Sequence, residues 1–153
     1  MKIGIAADHA GLEQKEKLVD LLTAAGYIVT DYGATTYDGE DDYPDKVAPL
    51  AAAISAHEVD KGIAVCGSGV GVSIAANKFP GVRAALISET YSAHQGVEHD
   101  DMNLLCVGGR VLNTSLIWEI VQAYVTASFQ KEERFERRLN KVLAIEQKYL
   151  KSL

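Results

Sequence analysis

Cys66 begins the segment of this chain whose residue types and spacing are best suited to chemistry. It ends a short apolar run and is followed at once by Gly67-Ser68-Gly69-Val70-Gly71, which leads into a helical pattern. Glycines let the backbone approach a ligand closely, and successive N–H groups at a helix start suit an anion. The positive end of the helix dipole also favours a thiolate. The spacing indicates a reactive thiol beside an anion site, and a tight turn with an inert thiol is the alternative.

Three well-known loop signatures are missing from these positions. A cysteine phosphatase loop needs arginine six residues after its cysteine, and that position holds Val72. A nucleotide P-loop continues as Gly-Lys-Ser/Thr, whereas Gly71 is followed by Val72-Ser73. The first predicted strand leads into Asp8-His9-Ala10-Gly11, which is not the Gly-x-Gly-x-x-Gly pattern of dinucleotide-binding folds. The sequence therefore argues against all three classes.

Histidines beside carboxylates form a second set of candidate groups. Asp8-His9 and His99-Asp100 lie next to predicted strand or helix ends, and a histidine that titrates near neutrality can move protons. Two histidines with carboxylates could also bind a metal ion, but ligands on separate loops have no spacing signature. Solvated loop residues are the simpler interpretation of each position alone, and we adopt it for His57 and His94.

The C-terminal segment differs in charge from the rest of the chain. Residues 131–153 hold seven Lys/Arg and four Glu, a net of +3, whereas residues 1–130 hold eight Lys/Arg and seventeen acids, a net of −9. The overall charge of −6 argues against general binding to nucleic acid or to an anionic membrane. Arg134 and Arg138 stand four apart, so they share a helix face that could grip phosphate oxygens. Neighbouring glutamates could instead pair with them.

Short apolar runs alternate with longer amphipathic stretches along the whole chain. The pattern predicts strands over about 2–7, 27–32, 62–66, 82–87 and 104–107, and helices over about 12–25, 44–57, 70–77, 90–98, 114–129 and 132–150. We expect an α/β fold: a three-layer αβα sandwich with a Rossmann-like, five-stranded parallel sheet and an extended C-terminal helix. Such sheets bind ligands beyond the carboxyl ends of their strands, where residues 8–11, 66–71 and 108–110 fall.

Length and composition set the class of protein. A chain of 153 residues with 48% hydrophobic and 24% charged residues is typical of one globular domain. Its two cysteines have no Cys-x-x-Cys spacing, which argues against a disulfide framework. The first apolar run is too short for a signal peptide, and none reaches the roughly 20 residues of a membrane span. We expect a single cytoplasmic domain over residues 1–153, with no nucleic-acid or membrane partner.

Taken together, the segments resemble the type B ribose-5-phosphate isomerase family, which includes the galactose-6-phosphate isomerase subunits. The resemblance covers nearly the whole chain in order and is most specific from Cys66 to Lys78. The matching segments are Asp8-His9-Ala10-Gly11, Asp42-Tyr43-Pro44, Cys66-Gly67-Ser68-Gly69-Val70-Gly71, Ser73-Ile74-Ala75-Ala76-Asn77-Lys78, His99 with Asn103, Gly109-Arg110-Val111 and the arginines near residue 134.

This resemblance implies aldose–ketose isomerisation of a phosphorylated sugar without a metal or cofactor, with ribose 5-phosphate as the expected substrate. By resemblance, Cys66 is the base that moves a proton between C2 and C1 through an enediolate. The N–H groups of the glycine loop and the Ser68 hydroxyl would stabilise the oxyanion. His99 would protonate the ring oxygen and open the cyclic sugar, with Asp8 and Tyr43 nearby.

The same resemblance implies a substrate-binding set and a shared site. The active site would belong to a homodimer or a dimer of dimers, with C-terminal arginines contributed across the dimer. The residues matched to substrate and phosphate binding are Asp8, His9, Tyr43, Gly67, Gly69, Val70, Gly71, Asp100, Arg110, Arg134 and Arg138.

Three departures from the family pattern bear on the substrate. Asp100 replaces a common Asn, and an ionised carboxylate can only accept a hydrogen bond where an amide can also donate. Phe135 replaces a usual histidine, and Glu132-Glu133 replace glycines. A one-residue insertion precedes Arg134, so Arg137 could take the place of Arg138. These changes leave two alternatives open: the same chemistry on a hexose or tetrose phosphate, or a sugar-phosphate binding protein without catalysis.

Overall fold

The computed structural model describes residues 1–150 and, within them, shows alternating strands and helices. No helix in this range is both long enough and apolar enough to cross a lipid bilayer. The last three residues of the expected domain lie outside the described residues. The elements are β1 Lys2–Ala7, α1 Leu12–Ala24, β2 Ile28–Asp31, α2 Tyr43–Ser55, β3 Lys61–Cys66, α3 Val70–Ala76, β4 Ala84–Leu86, α4 Thr90–Asp100, β5 Leu104–Gly108, α5 Thr114–Thr126 and α6 Glu133–Tyr149.

The described strands form one parallel sheet in the order β2-β1-β3-β5-β4. The chain leaves β1 for β2 on one side and then crosses to β3 on the other side, so the strand order reverses between β1 and β3. A crevice opens beyond the carboxyl ends of the strands at such a reversal. The Asp8 turn and the Cys66 loop follow β1 and β3, and the topology therefore brings these two segments to the same edge.

Alternating side chains of the strands supply two apolar layers, which makes the molecule a three-layer sandwich as the sequence predicts. On one face Ile5, Ile63 and Leu105 pack against α1, α4 and α5. On the other face Ala64 and Cys106 pack against α2 and α3. Small residues on the second face let these helices approach the sheet closely, and both faces of the central strand are buried.

Side-chain hydrogen bonds determine where α5 and β4 begin. The Asn113 side chain accepts a 2.9 Å hydrogen bond from the Leu116 N–H and begins α5. Strand β4 is shorter than predicted at its start, because the Arg83 N–H bonds the Asn103 side chain at 2.7 Å. The Asn77 amide pairs with both the N–H and the C=O of Ala84, at 2.9 Å each, along the outer edge of β4.

Buried Lys61 joins the start of β3 to the end of α5. Its Nζ donates to the carbonyl oxygens of Tyr124 at 2.8 Å and Ala127 at 2.7 Å, and it lies 5.0 Å from the centre of the Tyr124 ring. The ammonium thus satisfies carbonyls that a helix end leaves without partners. Burial lowers the pKa of Lys61 from 10.5 to about 8, and the charge of Asp101 only partly opposes this effect.

Candidate active site

The Cys66 loop turns sharply at the carboxyl end of β3. Gly69 has φ +82°, a left-handed conformation that favours glycine, and α3 begins at the next residue. This turn directs the Gly69 N–H at the Cys66 sulfur, 3.2 Å away. The Ser68 hydroxyl oxygen accepts the Val70 N–H at 3.2 Å, so its own proton stays available to donate elsewhere. The loop therefore holds a thiol, a hydroxyl and backbone N–H groups within a few residues.

Three other predicted site residues lie against this loop. The Asp8 carboxylate accepts the N–H groups of Ala10 at 3.0 Å and Gly11 at 3.2 Å, which shapes the turn after β1. A Cβ added at Gly67 would lie 3.6 Å from the Arg110 side chain, and one added at Gly71 would lie 2.7 Å from the Tyr43 ring. The absence of a side chain at Gly71 thus makes room for the tyrosine, whereas a Cβ at Gly67 would be in ordinary contact with the arginine.

His9 is held on the same edge by an acid from the loop before α2. Its ring Nδ1 lies 2.5 Å from Asp41 Oδ1, and its backbone N–H donates to the same oxygen at 3.1 Å. Burial opposes ionisation of Asp41, but the hydrogen bonds from His9 and the nearby charge of Lys46 hold its pKa below the ordinary value. We therefore treat Asp41 as an ionised acceptor. The edge of the Tyr37 ring faces His9, with ring centres 6.0 Å apart.

Possible metal ligation involves these same residues. Among the described residues, one group of potential ligands comprises Asp8, His9 and Asp41, with one atom of each lying within 4.8 Å of the others. Hydrogen bonds already use Asp8 Oδ1 and Asp41 Oδ1. The chemistry of this group is that of a histidine hydrogen-bonded to a carboxylate.

His99 lies in a different environment. It occupies the last turn of α4, where its Nδ1 is 3.0 Å from the side-chain nitrogen of Gln95. Phe135 stacks on its ring, with centres 4.0 Å apart and an interplanar angle of 18°. The Arg134 guanidinium carbon is 4.7 Å from the centre of the Phe135 ring. The start of α6 thus packs on His99 of its own chain.

The fold places His99 at the opposite edge of the sheet from Cys66. Helix α4 follows β4 and precedes the parallel strand β5, so it must run back from the carboxyl edge to the amino edge. Strand β3 runs between the same two edges of the sheet, a distance of about 17 Å from Lys61 to Cys66 at roughly 3.3 Å per residue. The expectation that Asp8 and Tyr43 lie near His99 therefore fails within one chain.

The predicted residues consequently form two sets. The carboxyl-edge set comprises Asp8, His9, Tyr43, Cys66, Gly67, Ser68, Gly69, Val70, Gly71 and Arg110. The amino-edge set comprises His99, Asp100, Arg134 and Arg138. In the second set, Arg137 is paired with Glu133 at 2.9 Å, whereas Arg138 is exposed and has no ion pair among the described residues. The structure therefore favours Arg138 over Arg137 as the arginine open to a ligand.

The four histidines separate clearly by their contacts. His94 pairs with Glu98 at 3.1 Å on α4, and His57 is exposed in a turn with φ 58°. Two contacts were missed by the sequence interpretation: Asp41 on His9, and Gln95 on His99. Gln95 stands four residues before His99 on a helix, a spacing that brings side chains together and could have revealed it.

Comparisons with known proteins agree with this fold. A family model described as Ribose/Galactose Isomerase matches residues 3–142. Ribose-5-phosphate isomerase B of Escherichia coli is 42% identical over 148 residues, which cover 96% of this chain and 97% of that protein.

Solved structures show the same agreement. The ribose-5-phosphate isomerase B of Clostridium thermocellum superposes with a TM-score of 0.93 and 43% identity, covering 97% of this chain and 99% of that one. The Mycoplasma genitalium enzyme with bound ribulose-5-phosphate has a TM-score of 0.91 and 37% identity, covering 95% and 96%. The matched length and identity, together with the cysteine loop at the carboxyl end of β3, show that the chain belongs to the ribose/galactose isomerase family.

Proposed function

We propose that this protein interconverts ribose 5-phosphate and ribulose 5-phosphate. The observation that carries the proposal is the Cys66 sulfur at the carboxyl end of β3, which accepts the Gly69 N–H at 3.2 Å beside Asp8, Tyr43 and Arg110. Membership of the family supports the reaction class, and the names of its relatives support the pentose phosphate.

The chemistry needs a base, an oxyanion site and a ring-opening acid. Cys66 as thiolate removes the proton from C2 of the open-chain aldose, and the electron pair moves to form the enediolate. Backbone N–H groups of the loop and the Ser68 hydroxyl stabilise the developing negative charge. The same sulfur returns the proton to C1, and the hydroxyl proton moves from O2 to O1, which completes the ketose without net loss of atoms.

Ring opening falls to His99. Its Nδ1 lies 3.0 Å from the Gln95 amide nitrogen; with that nitrogen donating, Nε2 carries the ring proton. A donor Nε2–H suits the transfer of a proton to a ring oxygen. Because this histidine lies at the amino edge, we propose that a second copy of the chain brings His99 and the tail arginines to the Cys66 loop.

Exposed apolar side chains support such an assembly. Val70 and Ile74 of α3 and Leu86 of β4 flank the Cys66 loop and are 46%, 57% and 43% exposed. Clusters of this kind commonly mark a protein interface. A homodimer with two shared sites, alone or within a dimer of dimers, is the proposed state. The free thiols Cys66 and Cys106 also support a reducing compartment such as the cytoplasm.

Cys66→Ala tests the reaction directly. We expect the variant to lose turnover of ribose 5-phosphate while it still binds the sugar, because the base is removed and the anion contacts remain. Cys106→Ala is the control for the loss of a thiol, since Cys106 lies on β5 and is buried in the apolar layer covered by α2 and α3. The wild-type protein and the Cys106→Ala control should exchange the C2 proton of the sugar with solvent deuterium, and Cys66→Ala should not. Normal turnover by Cys66→Ala would remove the proposed base.

The alternatives give different results in the same assays. Phe135, which departs from the family pattern, covers one face of His99 with an apolar ring. A kcat/KM that is higher for allose, galactose or erythrose phosphate than for ribose 5-phosphate would move the proposal to a hexose or tetrose phosphate. Binding without any C2 exchange for each of these sugars would identify a non-catalytic binding protein.

A further inference from the structure

Asp41 is hydrogen-bonded to the His9 ring, and no step of the proposed reaction uses it. Its side chain is 4% exposed, although it comes from a loop whose neighbouring acids Asp38, Glu40 and Asp42 are exposed. One oxygen, Oδ1, accepts both the backbone N–H and the ring nitrogen of His9. The other, Oδ2, is buried and has no hydrogen-bond partner among the described residues.

Burying a carboxylate costs free energy unless close partners compensate for the lost water. Here the compensation on the protein side comes mainly from His9, through two donors on a single oxygen, and the nearby charge of Lys46 adds to it. Since an ionised carboxylate can only accept, the 2.5 Å contact requires a proton on His9 Nδ1. The hydrogen bond made by one ring nitrogen sets the chemical character of the other, which is Nε2.

We infer that Asp41 is a positioning residue that holds the His9 ring with Nδ1–H on its carboxylate, and so leaves Nε2 as the ring nitrogen that meets the substrate. This inference rests on the proposed function, in which His9 belongs to the carboxyl-edge set. A fixed ring loses less freedom on binding than a mobile one, so Asp41 improves sugar-phosphate affinity without touching the ligand.

The sign of the effect separates this role from simple electrostatics. Asp41 is an anion, and the substrate carries an anionic phosphate. By Coulomb's law alone, removing the Asp41 charge would tighten binding. If Asp41 acts through His9, removing the carboxylate weakens binding instead.

The experiment has a spectroscopic arm that needs no substrate. With 15N-labelled histidine, long-range proton–nitrogen spectra above the titration range report which ring nitrogen carries hydrogen, and His9→Gln assigns the His9 signals. We expect a protonated Nδ1 in the wild-type protein. Asp41→Asn, whose amide can donate or accept, should shift that proton toward Nε2, and Asp41→Glu should keep it on Nδ1. An unprotonated wild-type Nδ1 overturns the inference even if Asp41→Asn does not fold.

The second arm measures the dissociation constant of ribose 5-phosphate by calorimetry in the Cys66→Ala background, where no turnover interferes. Asp41→Asn should weaken binding by up to about tenfold, because the His9 ring would then have to be ordered when the sugar phosphate binds. In the active enzyme it should raise KM far more than it lowers kcat. Glu40→Gln is the matched control, because it removes the same charge from an exposed neighbour that does not contact His9. Equal effects of the two substitutions, or no weakening by Asp41→Asn, overturn the inference.

The two proposals can fail separately. The wild-type protein could lack isomerase activity and still show the expected Nδ1 proton and a larger dissociation constant in Asp41→Asn. That result contradicts the reaction and supports the role of Asp41. An active enzyme in which Asp41→Asn changes neither the ring proton nor the dissociation constant supports the reaction and rejects the positioning role.

Discussion

A pair of inactive variants should restore each other if Cys66 and His99 act from different chains. Cys66→Ala removes the proposed base at the carboxyl edge, and His99→Asn removes the proposed acid at the amino edge. In a dimer that contains one of each, one site receives both substitutions. The other site receives Cys66 from one chain and His99 from its partner and is fully intact.

The separation between the two edges makes this outcome specific. A base and an acid must each come within about 3 Å of the atoms that they serve on one sugar. Strand β3 alone puts about 17 Å between the two edges of the sheet, at roughly 3.3 Å per residue. One chain therefore cannot bring Cys66 and His99 to the same ribose without unfolding α4, whose Ala93 and Val97 are buried in the core.

The assay uses coexpression of the two variants with different affinity tags. A twice-purified mixed dimer should have about half of the wild-type kcat, since one of two equivalent sites is intact, and a random equimolar mixture about a quarter. The matched control pairs Cys66→Ala with Arg110→Ala. Both residues belong to the carboxyl-edge set, so every site in that mixed dimer carries a defect and no activity should return.

The result that refutes this reasoning is equally definite. A folded mixed dimer of Cys66→Ala and His99→Asn with no more activity than its parents would place both groups in one chain. Full activity of the wild-type protein as a monomer in light scattering would have the same meaning. Either outcome would contradict the argument from the direction of α4.

The glycine loop, the two thiols and the buried lysine each yield a further prediction. Gly71→Ala should lower kcat/KM about 10- to 100-fold, because the added Cβ displaces the Tyr43 ring. Gly81→Ala is the control: Gly81 has φ +78° and open space around an added Cβ, so the change should lower the free energy of unfolding in urea by about 1–2 kcal/mol and leave activity nearly unchanged. Iodoacetamide should label Cys66 alone in the native protein, because burial raises the pKa of Cys106; two labels would contradict this. The free energy of unfolding of the wild-type protein, taken relative to that of Lys61→Met, should rise from pH 8 to 10.5. Over this range the unfolded chain still binds the proton that folded Lys61 has released. A difference between the two proteins that stays constant with pH would contradict this prediction.

Local patterns in the sequence were sufficient to predict the architecture. Alternation of apolar runs with amphipathic stretches gave the three-layer sandwich, and glycines after Cys66 marked the turn at the end of β3. The amphipathic stretch over about 114–129 predicted a helix, and α5 buries Ile117, Ile120 and Val121 on one face. These features depend on residues close together in the chain, where period and turn chemistry determine the backbone.

The arrangement of the site was harder to predict. A strict alternation of parallel strands and helices already requires α4 to end at the amino edge, so the remoteness of His99 from Cys66 could have been inferred from topology. The contact between Asp41 and His9 could not. Residues 32–42 form no regular element, and only the folded path of that loop brings one of its acids, rather than its neighbours, to the ring.

The side chain of Asn77 has a consequence for solubility. Its amide occupies the outward N–H and C=O of Ala84, so it completes the hydrogen bonds that a sixth strand would otherwise supply. An open sheet edge can recruit a strand from another molecule and start ordered aggregation. The Asn77 side chain covers part of that edge, and a side-chain amide, unlike a strand, presents no new edge to which another strand could add. Asn77 belongs to the segment from Cys66 to Lys78, which matches the family most specifically. Its side chain can therefore help to keep the protein from aggregating, independently of the reaction at the neighbouring site.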